Sequence, residues 1–440
     1  MERSDNCADC PAKDAVFYNP SFFGKPLKKN QVGLAKIVLH KLSIITMVSA
    51  TKVEGEYSFL SKNSHLDQSE GVKIHLYQFG AEHRNEKLTS FACSVQDGPS
   101  LLDMLLLSQW DNFAWKGCLD YDVTACQLKV IGGGRNFVGQ LNNKWNPISL
   151  KEYDKFFESF ACLKPNSMKS NDGLLLGIAQ GENDRPEVAP SASPPKDGLH
   201  VIANPYPVEY GHIFLVPSAI NQLSCYWDTR MIGLATKISS EVNNEAFRVF
   251  FDSGTSVVSG HMIFQACYFA IPLPVESAST FTVYDRKARS DIIVSETVDY
   301  PLKALVFTSS NLKTLVKSIK PFLRFIDNII SATMAWKHVK NLVTGCCLSA
   351  WECGGYFVYQ TKFGFDNASE TEISNRMGSV SLEDSTFEDL KHLCCTIADN
   401  LVMFLQAEGP EDEEATLPPG GALADAVLAA CFAATQEQHP

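Results

Sequence analysis

The sequence predicts an α+β chain, because its strand-like and helix-like stretches fall into separate runs and do not alternate as in a doubly wound parallel sheet. Strand-type stretches gather at 121–142, 201–217 and 248–271, while helical spacing dominates 100–110, 227–247, 312–339 and 385–405. A hydrophobic fraction of 45% over 440 residues supplies a sizeable core. The length suits two or three average domains, or one duplicated α+β unit with tails.

The net charge of -12 argues against nucleic acid as the main partner, since binding phosphate backbones by counterion release needs clustered Lys and Arg. Met1-Glu2-Arg3-Ser4-Asp5 has no basic segment followed by an apolar one, so the expected location is the cytoplasm, with the nucleus as a second site. The 14 cysteines are then expected as reduced thiols. Cys7 and Cys10 lack the further ligands of a structural zinc site and read as free thiols, so no metal is expected. Cys346-Cys347 and Cys394-Cys395 read as small buried hydrophobes. The apolar stretch 32–50 is interrupted by Lys36, His40 and Lys41, which makes it a half-buried strand or amphipathic helix and not a membrane span.

Along the chain, residues 1–30 are polar, contain Pro11, Pro20 and Pro26, and are expected to lack fixed structure. At 100–110 the apolar residues are too dense for an alternating strand; their helical spacing behind Ser100 predicts a capped helix. Residues 121–131 and 137–142 read as two strands about Gly132-Gly133-Gly134-Arg135. That glycine run lacks the trailing Lys-Ser/Thr of a P-loop, which favours a hairpin turn over a phosphate cradle. The first unit is placed at 31–180, and the Pro-, Ser- and acid-rich stretch 181–200 is expected as a flexible loop.

The second unit is placed at 201–405. Strands are expected over 201–205, 211–217, 248–253 and 261–271, a helix over 227–247, and a strand after Gly354-Gly355. A Ser385 or Thr386 cap ahead of Glu388 predicts the last helix, and 406–440 reads as an acidic, Pro/Gly-containing solvated tail.

Two segments carry a resemblance. Pro207-Val208-Glu209-Tyr210-Gly211-His212-Ile213-Phe214-Leu215-Val216-Pro217 is similar to the P…GHxxLxP strand of the histidine-triad and galactose-1-phosphate uridylyltransferase superfamily. Further on, His261-Met262-Ile263-Phe264-Gln265-Ala266 resembles its H-x-H-x-Q catalytic strand. Tyr121-Asp122-Val123-Thr124-Ala125-Cys126, Phe137-Val138-Gly139-Gln140-Leu141-Asn142, Phe247-Arg248, Pro274-Val275-Glu276 and Trp351-Glu352-Cys353-Gly354-Gly355-Tyr356 extend the likeness. On these segments the chain is identified as a member of the plant GDP-L-galactose phosphorylase family over about 100–405.

The resemblance implies antiparallel sheets with flanking helices, built from two histidine-triad-like halves. It also implies a reaction of GDP-hexose with inorganic phosphate that gives GDP and hexose 1-phosphate, a step of plant ascorbate synthesis when the sugar is L-galactose. No cofactor takes part. In the family, the central histidine attacks the α-phosphorus and a guanylyl-imidazole adduct is resolved by phosphate. Imidazole suits that role as a neutral nucleophile near pH 7. Residues two apart on a strand share a face, so 261, 263, 265 and 267 would line one site. Here the nucleophile position holds Ile263, while His261 matches the first histidine and Gln265 the phosphoryl-binding glutamine.

His261 and Gln265 are four residues apart, about 13 Å along a strand, too far to serve one phosphorus easily. Cys267 shares the face as a minor candidate nucleophile. His212, Arg248, Ser253, Gln140 and Asn142 are implied to contact substrate; without the resemblance, each of His212, His261, Gln265 and Arg248 also reads as a hydrogen-bonded structural residue.

Further departures are Asp252-Ser253 where the family has Asn-Ser, Gly260 where it has Asn, a missing basic segment after Asn142, and a shortened stretch between Val343-Thr344-Gly345 and Trp351. The expectation is a catalytically impaired homologue with weak affinity for GDP-hexose or guanine nucleotide and for phosphate, acting through a protein partner. The alternatives are an active GDP-hexose phosphorylase with a rearranged site, and a partner protein that has lost its pocket.

Overall fold

The computed structural model gives the backbone of residues 35–40 and 43–48 and describes residues 74–80, 99–145, 173–191, 198–218, 229–252, 263–285, 292–309, 348–385, 387–392 and 394–396, with a few single positions outside that set. Among the described residues fifteen strands form two sheets. The larger contains β1 (Ala35–His40), β2 (Ser43–Val48), β3 (Ile74–Phe79), β6 (Leu174–Gln180), β7 (Glu187–Ser191), β8 (Gly198–Ala203), β9 (Tyr210–Pro217), β10 (Phe247–Asp252), β11 (Phe264–Tyr268), β12 (Ser279–Asp285), β13 (Ile292–Val298) and β14 (Leu305–Ser309). Their spatial order is β12-β13-β14-β1-β2-β10-β11-β9-β8-β6-β3-β7. The smaller sheet joins β4 (Gln127–Ile131), β5 (Phe137–Leu141) and β15 (Tyr356–Tyr359) in the order β15-β5-β4.

The α+β class predicted from segregated runs is the one observed. Pairing is antiparallel except at β3 with β6 and β15 with β5, which run parallel. The apolar stretch at 32–50 forms the hairpin of β1 and β2, and these strands sit in the middle of the large sheet between β14 and β10. Within the stretch expected as a loop, Glu187–Ser191 form an edge strand. Pro190 is tolerated there because an edge strand has only one neighbour to bond.

Helix α1 (Leu101–Trp115) begins where the sequence places it: the Ser100 hydroxyl accepts the Asp103 N–H at 3.0 Å. Leu102, Leu106 and Trp110, spaced by four, turn inward, each contributing about 1.5–3 kcal/mol of burial. With α2 (Thr229–Val242), α1 covers one face of the large sheet, where Val249, Phe251, Phe264, Ala266, Ile213 and Leu215 form the first core. The opposite face meets the small sheet and a short helix, α3 (Ala350–Cys353), in a second core holding Phe250, Cys267, Phe269, Trp351 and Tyr356.

The segment 121–126 is not a strand. Asp122 Oδ1 accepts the Thr124 N–H at 2.9 Å and its hydroxyl at 2.6 Å, which closes a 3-10 turn over Val123–Ala125 and delays β4 to Gln127. The glycine run does form a hairpin turn between β4 and β5. Its donors are occupied from within: Glu370, on α4 (Glu370–Gly378), accepts Gly134 N–H at 2.6 Å and Arg135 Nη1–H at 2.9 Å.

The final helix is present over 384–385, 387–392 and 394–396, so Ser385 lies inside its first turn and not at the expected cap, and Cys394 is buried and Cys395 half-buried as expected for packing thiols. Residues 1–30 with Cys7 and Cys10, Cys346-Cys347, most of 312–339 and 406–440 lie outside the described residues. Among the described residues no helix is long and apolar enough to cross a membrane.

Candidate functional site

The two segments singled out in the sequence are neighbours in space. β9 and β11 pair antiparallel, with Phe264 opposite Leu215 and Gln265 opposite Phe214. Alternation sends Phe264, Ala266 and Tyr268 into the helix-side core, so Gln265 and Cys267 face the small sheet. On the same face β10 contributes Phe250, opposite Gln265, and Arg248, opposite Cys267. Ile263 stands just before β11, 4% exposed, two residues from Gln265, which is 2% exposed.

His212 is fully buried and joins the two segments through both ring nitrogens. Nδ1 accepts the Val208 N–H at 3.0 Å, and Nε2 lies 3.0 Å from Gln265 Oε1. A backbone N–H can only donate, so Nδ1 must be the acceptor and Nε2 carries the proton. That donation fixes the Gln265 amide with its NH₂ as the remaining donor. Burial pushes the His212 pKa down to about 4, so the ring is neutral at pH 7. His200, on β8, is likewise pushed down to about 4 by burial.

Both imidazoles are depressed from 6.5, so below that pH the unfolded chain binds more protons than the folded one and stability falls. Lowering the pH from 7.5 to 5 is expected to cost about 2 kcal/mol for each ring, read as a fall in urea midpoint. His212→Gln should flatten that slope by roughly half.

Gly211 allows His212 to enter the sheet from a sharp turn. Its φ is +69°, and an added Cβ would come within 2.5 Å of the Tyr268 ring. Gly211→Ala is therefore expected to destabilise by about 2–4 kcal/mol in chemical unfolding, from left-handed backbone strain plus overlap with a buried ring.

The small sheet reaches the same junction. Gln140 Nε2 donates to Val208 O at 2.8 Å and to the Tyr356 hydroxyl at 3.0 Å, and Tyr356 donates to Glu209 at 2.7 Å. Val208 thus links Gln140 to His212, and through it to Gln265. Asn142 Oδ1 accepts the Lys144 N–H at 3.2 Å. Gln140 Oε1 and Asn142 Nδ2 are buried without a hydrogen-bond partner among the described residues. The Trp351 ring packs edge-on to His212 with centroids 6.2 Å apart.

Arg248 is on the same face but is committed elsewhere. Its Nε and Nη2 each donate to Glu276 at 2.7 Å, and Nη1 donates to the carbonyls of Glu245 and Phe247. Cys267 is fully buried, and its thiol is held well above the usual range by burial and by the nearby Glu209 carboxylate, which favours the protonated form over the thiolate. His261 and Ser253, with Gly260, lie outside the described residues, as does the Asp252 side chain.

Sequence reasoning passed over Asn204, Glu209, Tyr356 and Trp351. All four fall inside or beside the motif segments, but only the folded register shows that they converge, Asn204 with its Nδ2 3.3 Å from His212 Nδ1. A surface groove of about 690 Å³ beside the glycine turn is lined by Lys129, Gly133, Arg135, Ser369 and Glu370 among others, and by none of the residues discussed at the β9–β11 junction.

Family models described as GDPGP1-like, N-terminal domain, and GDPGP1-like, C-terminal domain, match residues 101–267 and 327–401. The chain is 27% identical to GDP-L-galactose phosphorylase 1 of Arabidopsis thaliana over 389 residues, which is 79% of this chain and 87% of that protein. It is 28% identical to GDP-L-galactose phosphorylase 2 of the same plant over 326 residues, 66% of this chain and 75% of the relative. With human GDP-D-glucose phosphorylase 1 it shares 28% identity over 189 residues, 41% of this chain and 46% of the relative. No solved structure matches the chain.

Proposed function

Because the two family models together take in more than half of its length, the chain belongs to the GDP-hexose phosphorylase family, and we propose that it is a member that keeps a guanine-nucleotide site but has lost the covalent chemistry. The relatives are named for phosphorolysis of GDP-L-galactose and GDP-D-glucose, which makes a GDP-sugar or guanine nucleotide, with phosphate, the ligand class proposed here.

The observation that carries the reading is Ile263. It is buried two residues before Gln265, where strand alternation puts it on the same side and where the family resemblance puts the nucleophilic imidazole. A hydrocarbon has no lone pair with which to attack phosphorus. The support structure persists around it: His212 is held by Val208 and in turn orients the Gln265 amide. A retained polar frame around an absent nucleophile suits binding better than turnover, and a regulatory or interaction role follows from binding without conversion.

The test is phosphate-dependent cleavage of GDP-L-galactose and GDP-D-glucose by purified protein, alongside binding of GDP followed by thermal stabilisation. Stabilisation without turnover is expected. Turnover equal to that of an intact relative would refute the reading in favour of an active phosphorylase, and absence of any GDP-dependent shift would favour a protein whose pocket is gone.

A further inference from the structure

One buried titratable group on the face of the sheet that carries Gln265 is used by nothing described so far. His200 lies on β8 directly opposite Val216 of β9, while its neighbours Leu199 and Val201 point into the helix-side core. Its ring therefore projects from the same face as Phe214 and Gln265. On the other side of β9, the pairing of Phe264 with Leu215 carries the preceding Ile263 on to the Val216 row. His200, Val216 and Ile263 thus form one lateral row across three strands, with two interstrand spacings, about 10 Å, between its ends.

His200 is 6% exposed and its Nε2 has no hydrogen-bond partner among the described residues. Its pKa is pushed down to about 4 by burial alone, so the ring is neutral, with one donor and one acceptor to offer. An unpaired polar atom in such a place is a cost that Leu or Phe would remove, since packing on a β-strand does not require imidazole. The contrast with His212 is direct, because that buried ring has a partner at each nitrogen.

We propose that His200 is a ligand-contacting residue of the nucleotide site, with Nε2 hydrogen-bonding an oxygen of a bound guanine nucleotide, across Val216 from the vacated position 263. The inference rests on the guanine-nucleotide reading above. A phosphate oxygen and a ribose hydroxyl offer the same hydrogen-bond chemistry to a neutral imidazole, and comparing GDP, guanosine and inorganic phosphate as ligands separates them.

The experiment compares full-length wild-type protein with His200→Leu and His200→Gln by thermal unfolding and calorimetric titration. In His200→Leu the ligand-free midpoint is expected to rise by a few degrees, because a buried unsatisfied group is removed. GDP affinity is expected to weaken by about three- to tenfold, the worth of one neutral hydrogen bond, and His200→Gln should recover part of it. Loss seen with GDP and phosphate identifies a phosphate contact; loss seen with GDP and guanosine identifies a ribose contact.

A lower ligand-free midpoint in His200→Leu, or failure of that variant to fold, overturns the proposal by showing that the ring is a satisfied core residue. GDP binding that persists undiminished in His200→Leu overturns it while leaving the guanine-nucleotide reading intact. No GDP-dependent change in wild-type protein overturns both.

Discussion

Wild-type protein is expected to convert GDP-hexose and phosphate to GDP and hexose 1-phosphate at least about 10⁴-fold more slowly than an intact relative, the scale on which removing a covalent nucleophile acts. Ile263→His should recover turnover by at least about tenfold and, with radiolabelled substrate, should trap a guanylyl group that wild-type protein does not. A gain is expected because position 263 is closed, 4% exposed, and two residues from Gln265, whose NH₂ is the donor left over by His212, so alternation puts the two on one side of the strand. Ile263→Ala, which opens space without adding a lone pair, should give no gain. Burial holds the Cys267 thiol toward its protonated form, and Cys267→Ala is expected to leave any residual turnover unchanged. Label trapped on wild-type protein would sink the reading and direct attention to another imidazole, with His200 the first to replace.

Much of this arrangement was legible because local rules and tertiary demands agree. Ser100 caps its helix, the β4–β5 hairpin turns at its glycines, and the β9 and β11 segments form strands with Gln265 and Cys267 on one face. What was not legible came from contacts between distant segments. That His212 bonds Gln265, 53 residues away, follows from the β9–β11 register, which no single segment encodes. The 121–126 segment has β-forming composition, but the Asp122 side chain captures the local N–H and hydroxyl and makes a turn instead. At 181–200 the Pro and Ser content reads as loop, yet an edge position tolerates it and β7 forms. Val208 is apolar and unremarkable in sequence; its backbone carries the link from Gln140 to His212, and backbone hydrogen bonds leave no mark in residue type.

Arg248→Ala is expected to destabilise the fold by about 2–4 kcal/mol, read as a fall in urea midpoint, because it strips a half-buried carboxylate of its partner. The guanidinium fork lies against Glu276 with both contacts at 2.7 Å, and the two side chains are 7% and 18% exposed, so water replaces only part of what is removed. Two more donors of the same side chain satisfy the carbonyls of Glu245 and Phe247, which end the turn into β10. Four of the roughly five N–H groups of the fork are therefore spent inside the protein. Lys offers three donors on a point charge and cannot match the paired geometry, so Arg248→Lys should recover less than half of the loss. Arg248→Met with Glu276→Leu should cost less than Arg248→Ala alone, because no charge is stranded, although Leu273 N–H loses the Glu276 acceptor at 3.2 Å. The same variants decide what the arginine is for. If it ties β10 to the segment carrying Glu276, GDP affinity measured well below the unfolding midpoint stays within about twofold of wild type. If it reaches the nucleotide, affinity falls along with stability, by about 1.5–3 kcal/mol for a charged contact, and the ion pair seen here is only its resting partner.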